Sequence, residues 1–195
     1  MEMSLNYKKP YQSTVVPRLE TVALQLDPDL LNMFFPLLQK GITVPAHVGC
    51  TLHNLLCEQL AIPADYVTNR ITTIFLDNHP VDDLDRTIIQ DGSRVTLSAA
   101  MPGLVGATMR RGGFYAALRQ GISYVVDNAT STDKSGTVRL KLFNLLLAEL
   151  GPLVLARGIL MDRDELNDLL KNLPEQVLNF RKNTKCVLVT VCFSG

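Results

Sequence analysis

A glycine-rich stretch with paired arginines, GLVGATMRRGG, runs from residue 103 to residue 113. Glycines let a backbone approach a ligand closely, and two guanidinium groups can form forked hydrogen bonds to a phosphate or a carboxylate. No acidic residue occurs between Asp91 and Asp127, so the local charge is positive. The alternative is a flexible connector with solvated arginines. The stretch predicts an anion-binding site of six residues: Gly103, Gly106, Arg110, Arg111, Gly112 and Gly113.

The sequence contains no recognisable catalytic motif. The glycine spacing matches neither G-x-x-x-x-G-K-[ST] nor G-x-G-x-x-G, two common nucleotide-binding patterns. The three histidines, His47, His53 and His79, have no Ser or Cys partner in a triad motif. We therefore assign no catalytic residue. An anion- or nucleotide-binding protein, including an enzyme, that uses the 103–113 stretch is kept as an alternative.

Two groups of potential metal ligands have simpler explanations. Asp82, Asp83 and Asp85 could bind a hard cation through oxygen atoms, but such a cluster is more often a solvated turn. The cysteines form two distant pairs with spacings of seven and six, unlike the close C-x-x-C pair of a zinc site. Neither a metal nor a cofactor is predicted. Buried free thiols are expected at all four positions: Cys50, Cys57, Cys186 and Cys192.

The residues before the glycine-rich stretch have the pattern of a small α+β domain. The apolar runs 31–38 and 42–48 flank a Gln-Lys-Gly turn, which predicts a β-hairpin. Thr51 can cap a helix that Pro63 ends, and its leucines form one buried stripe. We expect one core from this helix and two later strands, with eight members: Leu52, Leu55, Leu56, Leu60, Ile74, Leu76, Val95 and Leu97.

The two later strands lie on either side of a strong turn signal. Residues 71–76 are rich in β-branched and aromatic side chains and end in the turn signal DNHP. Residues 93–100 follow the turn dipeptide Asp91-Gly92 and alternate between apolar and polar side chains. The second strand is therefore predicted to have one buried face.

Hairpin, helix, strand, turn and strand follow one another in the order of a β-grasp, in which a four- or five-stranded sheet curls around one helix. The segment GCTLHNLL resembles the G-x-T-x-x-x-L-L that begins the helix of the MoaD and ThiS sulfur carriers. The run TTIFLDNHPVDDLDRTIIQDGSRVTLSAAMPG is similar to their strand, turn, acidic loop and final strand. The match covers about 70 residues, and it implies an α+β fold with a ubiquitin-like domain.

The chain departs from that family after Pro102. A sulfur carrier ends in a free Gly-Gly whose carboxylate is activated, whereas about 90 residues follow Pro102 here. The last three residues, Phe193-Ser194-Gly195, include one glycine. Carrier chemistry would require a cut after Gly113. A carrier-like precursor that is processed there is kept as a further alternative.

The remaining residues predict a smaller α/β unit. A strand at 122–126 and a polar loop at 127–136 lead into a second strand at 137–143. Helical spacing begins at Leu146, and Gly151-Pro152 is interpreted as a stop and a restart.

The last predicted elements are a helix and a strand. Asp162 and Glu165 resemble a capping box for a helix that carries Leu166 and Leu173. The apolar run CVLVTVCF at 186–193 predicts a central strand that is covered on both faces. This strand belongs either to a second small sheet or to an extension of the first.

The composition excludes some classes of protein. With 19 Lys and Arg against 19 Asp and Glu, the net charge is zero, which argues against dedicated nucleic-acid binding. The most apolar run, 142–160, is interrupted by polar and charged residues and is predicted to be a buried helix rather than a membrane span. The N-terminus lacks the pattern of a secretory signal. We expect a cytoplasmic protein.

These patterns lead to one preferred function. We expect a non-enzymatic interaction or adaptor protein that binds a partner protein, or a second copy of itself, through the sheet face of its β-grasp domain. A small anion is the alternative ligand. The predicted organisation has four parts: an N-terminal arm at 1–29, a β-grasp domain at 30–102, a connector with Gly and Arg at 103–121, and a C-terminal α/β unit at 122–195.

Overall fold

The computed structural model describes residues 19–119, 121–124, 134–171, 173 and 186–194. These residues form an α+β fold in which helices pack on one mixed β-sheet. The eight strands are β1 (Glu20–Leu26), β2 (Ile42–Val48), β3 (Thr73–Leu76), β4 (His79–Pro80), β5 (Arg94–Ser98), β6 (Lys134–Phe143), β7 (Ile159–Asp162) and β8 (Cys186–Phe193).

The described helices are mostly short. The α-helices are α1 (Phe35–Lys40), α2 (Ala64–Asn69), α3 (Gly103–Met109), α4 (Leu146–Arg157) and α5 (Arg163–Lys171). Two 3₁₀ helices span Pro28–Phe34 and Phe114–Arg119, and one helix has π geometry over Asn54–Gln59. None of the helices in the described ranges is both long enough and apolar enough to cross a bilayer.

The sheet has the strand order β1-β8-β7-β2-β6-β5-β3-β4. Strand β1 is parallel to β8 and β5 is parallel to β6, whereas the other neighbours are antiparallel. The long strand β6 pairs on one side with β2 and on the other with β5. Strands from both predicted units therefore alternate within a single sheet, and β8 extends that sheet rather than forming a second one.

One face of this sheet carries the hydrophobic core. The helix after Thr51 begins as predicted, because the Thr51 hydroxyl accepts a hydrogen bond from the Asn54 amide at 3.1 Å. The helix runs into the π turn and ends before Pro63. All eight residues expected in the core are buried in one cluster, so that prediction is confirmed: Leu52, Leu55, Leu56, Leu60, Ile74, Leu76, Val95 and Leu97.

The turn between β3 and β4 also follows the sequence prediction. Asp77 and Asn78 both have positive φ, at 49° and 71°. Two consecutive residues in this conformation make the tight turn that matches the twist of a β-hairpin, and Asn and Asp tolerate it better than most residues. The turn positions β4, and the acidic loop with Asp82, Asp83 and Asp85 begins two residues after β4.

The predicted strand at 31–38 is wrong, because these residues are helical. The Asp27 carboxylate accepts a hydrogen bond from the Asp29 amide at 2.9 Å, and Pro28 occupies the first turn, where a missing N–H costs nothing. Phe34 and Leu38 are both buried while Pro36 between them is exposed, which fits a helical period and not the alternation of a strand. Residues 31–38 therefore form no hairpin with β2.

Two predictions for the C-terminal part are corrected as well. Residues 122–124 form a turn rather than a strand, and residues 125 and 126 lie outside the described part. Strand β6 pairs with β2 over residues 134–140 and with β5 over residues 139–143, so these described strands are the neighbours of β6 in place of the predicted hairpin partner. Helix α4 continues through Pro152, because its buried leucines pack on the sheet and Gly151 gives Leu38 room to approach.

The sequence patterns also missed two strands. Strand β1 lies in the predicted arm, where Val22, Leu24 and Leu26 are buried in alternation. Strand β7 precedes α5, and its four residues are too few to give a clear period. Strand β8 is central as predicted, lying between β1 and β7, but one of its faces is only half-covered.

Candidate functional site

Residues 103–124, except the undescribed residue 120, form a segment that lies against the β3–β4 end of the molecule; we call it the 103–124 segment. Helix α3 and the 3₁₀ helix Phe114–Arg119 pack on each other, and the turn at 110–113 joins them. The Arg111 amide donates to the Thr72 carbonyl at 2.8 Å, and the Tyr124 amide donates to the Pro80 carbonyl at 2.9 Å. The segment is therefore attached at its middle to the residue before β3 and at its end to β4.

The glycines of this segment serve its backbone geometry. Gly103 and Gly112 have φ of +72° and +60°, in the left-handed region that favours glycine. At Gly106, a Cβ atom would lie 1.8 Å from the Met101 carbonyl oxygen. Gly106 is therefore required for the close approach of α3 to the preceding chain, rather than for contact with a ligand.

Arg111 is held by the end of a neighbouring helix. Its Nη2 atom donates to the Val67 carbonyl at 2.8 Å and lies 3.5 Å from the Thr68 carbonyl, both in the last turn of α2. A cation near the carbonyl end of a helix is favourable because those carbonyls lack helical partners. Burial lowers the pKa of Arg111, and the negative charge of Asp82 opposes this shift.

Arg119 is the most deeply buried cation of the segment, with 3% of its surface exposed. Its Nε donates to the Thr108 carbonyl at 2.7 Å, and its Nη1 donates to the Ser123 hydroxyl at 2.9 Å. Its Nη2 lies 2.6 Å from Asp82 Oδ1, which also accepts from the Gly112 amide at 3.2 Å. The guanidinium of Arg119 thus connects both helices of the segment to the acidic loop.

Arg110 differs from the other two arginines. It is exposed in the turn between the two helices, and its guanidinium makes no hydrogen bond or ion pair with any residue that the structure describes. The six predicted anion-site residues therefore lie in one segment, but the guanidinium of Arg111 is already bound by carbonyl groups. Arg110 is the member of that set whose charge is available to a ligand.

The outward side of the segment is apolar. Among the described residues, seven large hydrophobic side chains are exposed, and six of them lie in this segment. The rings of Phe114 and Tyr115 meet edge to face with centroids 5.2 Å apart. We call this apolar surface, together with Arg110, the outer patch; its apolar members are Leu104, Val105, Phe114, Tyr115, Leu118 and Ile122.

The short helix 114–119 reverses the usual distribution of side chains. Phe114 is 91% exposed and Leu118 is 73% exposed, whereas the adjacent Arg119 is 3% exposed. Burial of a Phe or Leu side chain normally contributes about 1.5 to 3 kcal/mol, and burial of a charge is costly unless it is paired. The fold thus places a cation inward and apolar side chains outward.

The sheet face expected to bind a partner has a different character. On that face, β5 and β6 carry Arg94, Arg139 and Lys141, which alternate with buried residues. No strand residue is among the exposed large hydrophobic side chains of the described chain. The exposed apolar surface is therefore concentrated on the 103–124 segment.

The acidic cluster divides its carboxylates among different partners. Asp82 binds Arg119, Asp83 accepts the amides of Asp85 and Arg86, and Asp85 Oδ1 lies 2.6 Å from His53 Nδ1. Within the described ranges, no three His, Cys, Asp or Glu side chains form a group that could hold a metal ion.

The cysteines have free thiols but are not buried as expected. Cys50, Cys57 and Cys186 are half-buried, and Cys192 is exposed because the end of β8 is only half-covered. Burial is the largest of the causes that raise the pKa of Cys57, so this thiol is not activated as a nucleophile by its surroundings.

The sequence indicated the position of this site but not its character. The paired arginines Arg110 and Arg111 predict an anion site in this stretch, but the sequence does not indicate that the apolar members from Phe114 to Ile122 are exposed. Their spacing resembles that of a buried helix face, and no local pattern shows that they point outward. Comparisons with models of protein families, with curated proteins and with solved structures found no match to this chain.

Proposed function

We propose that this chain is a non-enzymatic protein-interaction protein and that the outer patch is the surface that binds its partner. The observation that carries this proposal is the reversed distribution in the 114–119 helix, where Arg119 is buried and Phe114 and Leu118 are exposed. Contiguous exposed apolar surface of this kind is typical of sites that contact another molecule.

The composition of the outer patch fits a protein interface. The central parts of interfaces are enriched in aromatic residues and arginine and depleted of acidic residues and lysine. The patch has Phe114, Tyr115 and Arg110, and the segment contains no Asp, Glu or Lys. Its anchoring by Arg111 and Arg119 would hold the apolar side chains in place before binding, which lowers the entropic cost of association.

A β-grasp origin for half of the sheet is part of this proposal. A β-grasp places its first strand beside its last strand, in parallel, at the centre of the sheet. The order β2-β6-β5-β3-β4 has this arrangement if β6 takes the place of the first strand, and the helix at 52–59 covers one face. The resemblance of residues 49–56 and 72–103 to the MoaD and ThiS carriers supports the same interpretation.

The position of β6 weakens the support for a processed sulfur carrier. A product that ended at Gly113 would lose β6, which pairs with both β2 and β5. It would also lose α4, which covers the core.

The anion-binding alternative rests on Arg110, because Arg111 and Arg119 already donate to protein acceptors. We propose the cytoplasm as the site of action.

Photocrosslinking in the protein's own cell tests the proposed function. A photoreactive phenylalanine analogue is placed at Phe114 in one variant and at Leu145 in another, because Leu145 is an exposed leucine outside the segment, 56% accessible. We expect a discrete protein adduct from position 114 and none from position 145. Equal labelling at the two positions, or no adduct at 114, would contradict the proposal.

A further inference from the structure

We infer that the partner presents an acidic, amphipathic segment to the outer patch, in which apolar side chains cover Phe114 and Leu118 and a carboxylate binds Arg110. This inference rests on the proposed function and specifies the chemistry of the partner. It is carried by the charge balance around the patch and by the position of Arg110.

The 103–124 segment itself carries positive charge that is incompletely neutralised. The described part of the segment contains three arginines and no acidic residue, and Asp82 supplies one negative charge to Arg119. Arg111 donates to neutral carbonyl groups, so its charge remains. Three positive charges less one negative charge leave two, which belong to Arg110 and Arg111.

Arg110 lies where it can reach a bound partner. It occupies the turn that joins α3 to the 114–119 helix, and the Gly113 amide donates to its carbonyl at 3.1 Å. Its guanidinium is exposed and has no partner among the described residues. At the edge of an apolar surface, a carboxylate can form a forked pair with such a guanidinium while apolar groups fill the centre.

Two other occupants fit the same observations less well. The outer patch of a second copy offers no carboxylate to Arg110, because residues 103–124 contain no Asp or Glu, and like charges across an interface are unfavourable. A lipid surface attracts proteins through clusters of several cations, and here Arg110 is the one fully exposed cation in the described part of the segment. An acidic protein segment satisfies both the apolar and the charged parts of the patch.

A displayed library of random peptides, selected on the full-length protein, tests this inference. Selected peptides are synthesised, and their dissociation constants are measured by fluorescence anisotropy at low and high salt. We expect peptides that combine leucine or aromatic residues with Asp or Glu. The change Arg110→Glu should weaken their binding by about tenfold or more, Arg110→Lys should weaken it less, and high salt should weaken it too.

Two controls separate failure of this inference from failure of the proposed function. Peptide binding could be lost in a Phe114→Ser, Leu118→Ser variant but unchanged by Arg110→Glu. That result would overturn the inference of an acidic partner and would leave the outer patch as the binding surface. Selected peptides that bind this double variant as tightly as the parent, or a library that yields no binder, would overturn both.

Membrane binding and self-association are tested with the same parent and variant proteins. The protein could sediment with vesicles of phosphatidylcholine and phosphatidylserine in a way that requires Phe114 and Leu118. That result would show that the outer patch binds a lipid surface rather than a protein partner. If the parent forms a dimer and the double variant does not, the outer patch binds a second copy of this chain rather than a different protein. We expect neither, and a Leu145→Ser variant should bind the selected peptides as the parent does.

Discussion

Arg119 Nη2 lies 2.6 Å from Asp82 Oδ1, and this ion pair links the inner side of the 103–124 segment to the acidic loop after β4. The two residues are 37 positions apart in the chain, and Arg119 has hydrogen bonds to Thr108 and Ser123 as well. A single buried guanidinium therefore fixes the segment whose opposite side is exposed and apolar.

Replacement of Arg119 by alanine should destabilise the segment. The change removes the side-chain donor to the Thr108 carbonyl and the ion-pair partner of the Asp82 carboxylate, and we expect a loss of about 1 to 3 kcal/mol. Urea unfolding measures the loss, and hydrogen exchange should increase in residues 103–124. Arg110→Ala is the matched control, because Arg110 is exposed without a described partner, and its effect should be within about 0.5 kcal/mol. Similar effects of both changes would refute the role of Arg119.

Gly106 provides a second test of how the segment is packed. An alanine there would place its Cβ 1.8 Å from the Met101 carbonyl oxygen, so α3 must shift. We expect Gly106→Ala to cost about 1 to 3 kcal/mol and to alter the chemical shifts of Leu104 and Val105. Nothing lies within 4 Å of a Cβ added at Gly121, so Gly121→Ala should have little effect. An unchanged spectrum for Gly106→Ala would show that α3 is not packed as described.

The core has a separate test at Leu56. This side chain is fully buried in the cluster that joins the helix at 52–59 to the sheet. Leu56→Ala should lower the free energy of unfolding by about 2 to 5 kcal/mol through loss of contacts and formation of a cavity. The exposed Leu145 serves as the comparison, and Leu145→Ala should leave the melting temperature nearly unchanged. If Leu56→Ala melts like the parent, the helix does not pack as assigned.

Glu149 should make stability depend on acid pH. The Arg70 guanidinium, through its hydrogen bonds, and the Tyr66 hydroxyl hold the pKa of Glu149 below its ordinary value, despite partial burial. A lowered pKa in the folded state stabilises the protein above the unfolded pKa, about 4.3 for glutamate, and this stabilisation is lost as the pH falls through the folded value.

The Glu149→Gln variant separates this contribution from other acid effects. At neutral pH the variant should melt at a lower temperature than the parent, and the difference should shrink as the pH falls below about 4. Glu58→Gln, at an exposed glutamate whose side chain has no hydrogen bond or ion pair among the described residues, should leave the melting temperature at neutral pH nearly unchanged. If the difference in melting temperature between the parent and Glu149→Gln stays the same down to low pH, the result would contradict the ion pair of Glu149 with Arg70.

Local signals explain which elements could be predicted from the sequence. Thr51 and its leucine stripe specify a helix by capping and period, and Asp77-Asn78 specify a turn by tolerance of positive φ. These features depend on neighbouring residues only. The helical runs near Phe34 and Leu38 were misassigned because bulky apolar residues suit strands as well as buried helices.

The missed features depend on distant contacts. The insertion of β6 between β2 and β5 pairs residues 45 positions apart, such as Arg94 and Arg139, and up to 98 positions apart, such as Ile42 and Leu140, which no window of sequence reveals. The same reason applies to the outer patch, since the inward direction of Arg119 is set by Asp82 on a separate loop. The arginines identified the segment, and the fold determined which side chains face outward.

Recovery of complexes from the protein's own cell tests the docking surface most directly. Tagged full-length parent, a Phe114→Ser, Leu118→Ser variant and a Leu145→Ser variant are purified at matched expression, and bound proteins are compared by quantitative mass spectrometry. We expect a partner that the parent and Leu145→Ser retain and that the double variant loses, while all three fold equally well. A double variant that retains every partner of the parent would contradict the assignment of the outer patch as the binding surface.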